Sequence, residues 1–111
     1  MNKIKLILSA IILSSAVSVF AAPDPAKVMP TQLETVATAG GLIAIQGVIT
    51  NSSDVSYKHV FVKFDLFDAN GVLVGNTADH ASNLQPGRSW RFKAVAPQQF
   101  DSYSVSSVDI Y

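Results

Sequence analysis

The chain has 111 residues, 49% of them hydrophobic and 14% charged, with no cysteine and eight basic side chains balanced by eight acidic ones. Those proportions fit one small globular domain and exclude a long disordered tail or a multidomain enzyme. Without cysteine there is no disulfide framework, no thiolate ligand for zinc or blue copper, and no thiol nucleophile.

The first element is an address label. Lys3 and Lys5 precede an apolar run from Leu6 to Phe20, and Val19-Phe20-Ala21 supplies the small-residue site that a signal peptidase reads. The run is about 15 residues, short of the ~20 that a spanning helix needs, and Pro23 and Pro25 follow at once. Residues 1–21 are therefore expected to be a cleaved signal, leaving no membrane span and sending the product to the periplasm or the extracellular medium. A lipid anchor would need a cysteine to acylate. Removing Lys3 and Lys5 turns the balance of eight and eight into a net charge of −2, so a nucleic-acid partner is not expected: duplex binding draws on a basic stripe. Residues 22–31, rich in proline, read as an extended lead-in, and 32–111 as the domain.

From Ile43 onward apolar residues recur at every second position, the period of a half-buried strand. Weak β character from Leu33 to Thr38 gives a first strand, ending before Gly40-Gly41. Ile45, Gly47 and Ile49 share one face of the second, which stops at Asn51-Ser52-Ser53-Asp54, residues whose side chains bond nearby backbone. The third starts near Tyr57. Its set Val60, Val62, Phe64 and Leu66 has no polar member and is expected to be buried, leaving Phe61, Lys63, Asp65 and Phe67 outside. Asn70-Gly71, which tolerates positive φ at both central positions of a hairpin, turns the chain into a return strand from Val72 to Thr77. Pro86-Gly87 makes the next turn, Pro86 fixing φ and Gly87 free to make it positive. Trp90, Phe92 and Ala94 then alternate with Arg91 and Lys93. In the last strand Tyr103 and Val105 fall on one parity and Val108 and Ile110 on the other, so a bulge at Ser106-Ser107 is expected to turn all four inward.

Six to seven short strands in about 80 residues indicate an all-β fold, a small antiparallel immunoglobulin-like β-sandwich. With no disulfide and only ~60% of the unfolded surface buried in a domain of this size, Phe64, Leu66, Trp90 and Phe92 are expected to supply much of the core.

These residues also resemble a named family, the FxLYD domain of bacterial secreted and membrane-attached proteins. Phe64-Asp65-Leu66-Phe67-Asp68 fills the F-x-L-Y-D motif with Phe for Tyr. Around it stand Ile45-x-Gly47-x-Ile49-x-Asn51, Asn70-Gly71-x-x-x-Gly75 and Leu84-x-Pro86-Gly87-x-Ser89-Trp90-x-Phe92. The likeness spans about Ile43 to Ala94, with Phe64, Leu66, Phe67, Asp68, Gly71, Pro86, Gly87, Trp90 and Phe92 as structural motif positions. It implies a small exported β-sandwich and carries no catalytic assignment.

Chemical readings compete poorly with turn and strand readings. Gly87-Arg88-Ser89-Trp90-Arg91 lacks the second glycine of a nucleophile elbow, so Ser89 is read as an ordinary strand-start residue and no catalytic residue is expected. His59, next to the buried strand, and His80, expected in a polar loop, show no clustered metal-ligand spacing. Asp65, Asp68 and Asn70 carry oxygen, but a calcium shell takes 6 to 8 of them and Asp-x-Asn-Gly is also a hairpin turn. No metal and no cofactor is expected. Asn51-Ser52-Ser53 matches the glycosylation sequon and is read as a turn. The outward row Phe61, Lys63, Asp65 and Phe67 is the candidate partner surface, since aromatic surface between charges on a small domain marks an interface. Exposed strand edges offer main-chain pairing as a second route. The sequence thus favours a non-enzymatic exported module acting by protein contact. A small ligand or metal carrier, and a structural domain that forms a homodimer through an edge strand, stand as alternatives.

Overall fold

The computed structural model describes residues 28–111; the expected signal and most of the lead-in lie outside the described residues. All six elements are antiparallel strands: β1 (Thr31–Ala37), β2 (Ile43–Thr50), β3 (Tyr57–Phe67), β4 (Leu73–Leu84), β5 (Ser89–Val95) and β6 (Ser102–Ile110). They form two three-stranded sheets, ordered β1-β2-β5 and β4-β3-β6. The connections β2 to β3, β4 to β5 and β5 to β6 each change sheet, giving the immunoglobulin-like sandwich read from the period-2 pattern.

Alternation places the core as expected on β3, where Val60, Val62, Phe64 and Leu66 have no exposed surface. Ile45 and Ile49 of β2 and Phe92 and Ala94 of β5 meet them from the other sheet, equally buried. Phe64 and Phe92 lie 5.7 Å apart across the sandwich in a tilted aromatic pair. Trp90 differs from expectation. It is only half-buried, tilted against Phe92 at 5.8 Å, because its position near the start of β5 puts the large indole at the rim. The fold also begins earlier than Gln32: Val28, in the expected lead-in, is 1% exposed and belongs to the core, and β1 opens at Thr31.

In β6 the ladder to β3 shifts between Lys63 and Phe64, with Ser107 opposite the first and Val105 opposite the second. That bulge lets Tyr103, Val105, Val108 and Ile110 all pack toward the core, as the parity break in the sequence anticipates. A second irregularity lies in β1 between Thr31 and Glu34, where Gln32 takes a φ of +55°. Gly47 of β2 faces it. A Cβ there would lie 2.8 Å from both Thr31 O and the Phe92 ring, so only glycine lets the edge strand and the core aromatic close in together.

The turns follow the residues with one correction. Gln85-Pro86-Gly87-Arg88 closes through Arg88 N to Gln85 O at 3.0 Å with Gly87 at φ +79°, the type II geometry that Pro-Gly favours. In the turn between β3 and β4, residues 68–72, Gly71 alone takes positive φ, at +77°. Asp68 Oδ1 accepts from Asn70 N and Val72 N, and Gly71 N donates to Asp68 O. Ala69 and Asn70 are thereby held in a right-handed turn followed by a left-handed glycine, a longer loop than the two-residue Asn-Gly hairpin expected.

Strand β4 is the largest departure. It does not stop at Thr77 but continues through polar residues to Leu84, paired with β3 from end to end. The ladder is a backbone interaction that polar side chains do not oppose, and the inward-turned ones have work to do. Thr77 Oγ1 donates to Val95 O at 2.6 Å, and Asp79 Oδ2 accepts from Lys93 N at 2.8 Å. Side chains of β4 thus satisfy the outer edge of β5 and close one flank of the sandwich.

Candidate functional site

The outer face of the β4-β3-β6 sheet carries all four residues of the expected partner surface, in a row along the central strand. Phe61, Asp65 and Phe67 are half-buried and Lys63 is exposed. The Phe61 ring does not stand free. His80, directly opposite in β4, stacks on Phe61 with ring centroids 4.5 Å apart, and Tyr111 meets the ring edge-on at 5.9 Å. Phe67 lies where the β3–β4 register shifts, its carbonyl accepting from Asp101 N at 2.8 Å.

Lys63 crosses diagonally to β6 and pairs with Asp109 at 2.8 Å. Its bond to Asp109 raises the ammonium above its ordinary pKa and holds the Asp109 carboxyl below the usual carboxylate range. Beside this pair a shallow open depression of about 390 Å³ is lined by Lys63, Asp65, Asn76, Ala78 and Ser106 among others. The face therefore combines an aromatic cluster at one end, an ion pair in the middle and a polar depression beside it. Such a surface suits contact with another macromolecule: rings provide area, and polar groups provide orientation.

The remaining candidates are dispersed. Ser89 shares a 2.7 Å hydrogen bond between its hydroxyl and that of Thr50, on the other sheet from both histidines. Asp68 turns its Oδ1 into its own hairpin, away from Asp65, which faces the depression. His80 lies within β4 and not in a loop. Its Nε2 is 3.2 Å from Nδ1 of His59, a neighbour that a separation of 21 positions hides in the sequence.

Asn51 is the residue whose role the sequence left least visible. It is fully buried. Its Nδ2 donates to Leu84 O at 2.9 Å and Val55 O at 2.8 Å, while Oδ1 accepts from Ser53 N and Ser53 Oγ. Its backbone closes against Arg88 and Gly87. One side chain at the end of β2 thereby ties the first sheet to the end of β4 in the second, with every donor and acceptor used. Both hydrogens of the amide are committed inside the fold, which removes the sequon reading. The available signal was parity: Asn51 falls in step with the inward Ile45, Gly47 and Ile49.

No protein-family model matches the chain, and no solved structure matches it. Among curated proteins, the chain is similar to an uncharacterized protein of Methanocaldococcus jannaschii, 31% identical over 70 residues, which cover 63% of this chain and 52% of that protein. The chain thus spans about half the length of the curated relative it matches.

Proposed function

We propose that this chain is an exported, non-enzymatic β-sandwich module of the FxLYD type that works by binding another protein through the outer face of the β4-β3-β6 sheet. The observation that carries the reading is the composition of that face along β3: Phe61 with its His80 and Tyr111 neighbours, the Lys63–Asp109 pair and the adjoining depression. The sandwich supplies a rigid platform, since β3 is hydrogen-bonded on both sides and its alternate residues are locked in the core. Binding of this kind needs ordered surface, and side chains anchored on a central strand lose little further freedom when a partner docks.

Site-specific photocrosslinking in the native host tests it. A crosslinker at Ala78, beside the depression, is expected to trap one discrete partner, and the same group at Arg91, on the outer face of the other sheet, is not. Phe61→Ser is expected to abolish the Ala78 product while circular dichroism stays unchanged. Equal labelling from both positions, or a product indifferent to Phe61→Ser, refutes the assignment.

A further inference from the structure

The two histidines of the described chain meet on the outer face of the sheet, at its end near Tyr57. His59 is on central strand β3 and His80 on edge strand β4, two residues out of direct register, since His59 faces Ser82 and His80 faces Phe61. Their rings are nearly parallel, 23° between planes with centroids 5.4 Å apart, and Nδ1 of His59 lies 3.2 Å from Nε2 of His80. Phe61 backs His80, ring on ring at 4.5 Å between centroids. Both imidazoles are exposed.

We infer that His59 Nδ1 and His80 Nε2 form a chelating site for a divalent transition-metal ion such as zinc. Two nitrogens bound to one tetrahedral zinc at about 2.0 to 2.1 Å lie about 3.3 Å apart, which is the spacing already present here. Without metal, one of these nitrogens donates its proton to the other. Metal binding needs both lone pairs, so the proton of that donor moves through water to the outward nitrogen of the same ring, leaving each imidazole neutral with no proton lost or gained overall. Small χ rotations at exposed positions aim the lone pairs at a common point.

The surroundings favour the imidazoles as donors. Asp79, adjacent in the chain, has one carboxylate oxygen on His80 N and the other on Lys93 N, which leaves it out of the coordination sphere. Among the described residues no third His, Cys, Asp or Glu joins the pair, so water or an incoming donor occupies the remaining positions. A site with two protein ligands and open positions exchanges its ion readily, unlike a closed four-ligand structural site. This inference stands on the histidine geometry and is independent of the protein-contact reading.

The test is calorimetric titration of the full mature chain with zinc chloride, in buffer free of chelators, with His59→Ala and His80→Ala alongside. Wild type is expected to bind one zinc per chain, reversed by EDTA, with the ring signals of both histidines shifting in NMR spectra. Each variant is expected to lose at least ~10-fold in affinity, with unchanged circular dichroism because both side chains are at the surface. Absence of saturable binding, shifts confined to one histidine, or a variant that binds like wild type overturns the inference.

Discussion

Removing the amide of Asn51 is the sharpest test of how the two sheets are joined. In Asn51→Ala, Leu84 O loses its donor in a buried site, a penalty of about 1 to 3 kcal/mol. The bonds to Val55 O and from Ser53 lie in partly exposed surroundings where water replaces them, adding about 1 kcal/mol more. The expected total is roughly 2 to 4 kcal/mol, a drop in Tm of roughly 10 to 25 °C for a domain of this size. Asn51→Asp keeps the shape and reverses the electrostatics: a carboxylate oxygen replaces the NH₂ group and faces the carbonyls of Leu84 and Val55. Burial against two acceptors raises its folded pKa above the ~3.9 of an unfolded aspartate. A raised folded pKa means that the folded state holds the proton more tightly, so the stabilisation is present below the unfolded pKa and lost as pH rises through the folded one. Asn51→Asp is thus expected to lie closer to wild type at pH 3.5 than at pH 7. Urea unfolding followed by the fluorescence of Trp90, the single tryptophan, gives both numbers, each taken against wild type at the same pH. An Asn51→Ala loss below about 1 kcal/mol, or an Asn51→Asp deficit that does not grow with pH, would refute the clamp.

Three further outcomes follow from the packing. Gly47→Ala drives a methyl into Thr31 O and the Phe92 ring and is expected to cost about 1 to 3 kcal/mol by overpacking, read as a lower urea midpoint with β1 amides exchanging fastest. Phe64→Ala, fully buried, is expected to cost about 3 to 5 kcal/mol and Trp90→Ala less, since the indole sits half-exposed at the rim; near-UV circular dichroism melts rank the two. Lys63→Met is expected to move the Asp109 titration upward toward the ordinary carboxylate range in NMR. In wild type the pair's stabilisation, held above the unfolded carboxylate pKa, fades as pH falls through the depressed Asp109 value, and at the alkaline end as pH rises through the raised Lys63 value.

Much of the architecture was written locally. The run Val60, Val62, Phe64, Leu66 contains its own instruction: a strand forms, and one face hides. The parity break between Val105 and Val108 announced the β6 bulge, and Pro86-Gly87 named its own turn. Elsewhere the same local logic stopped short. Thr77, Asp79 and Ala81 gave β4 no apolar signature, yet a full-length partner strand was there to pair with, and the edge of β5 needed the oxygens of Thr77 and Asp79. Asn70-Gly71 was a true turn signal whose length was decided by the Asp68 carboxylate. The outward row Phe61, Lys63, Asp65 and Phe67 was likewise legible from alternation, whereas the cover that His80 and Tyr111 give Phe61 came from β4 and from the residue that follows β6.

The amino-acid order alone determined which faces of the strands are dry and where the chain reverses, because period-2 hydrophobicity and the φ limits of proline and glycine act over a few residues. Tertiary structure decided the burial of Asn51, the length of β4, the rim position of Trp90 and the meeting of His59 with His80. Each of these depends on which distant segment lies alongside, and for polar groups that neighbour, more than the residue's own character, sets whether burial is costly or satisfied.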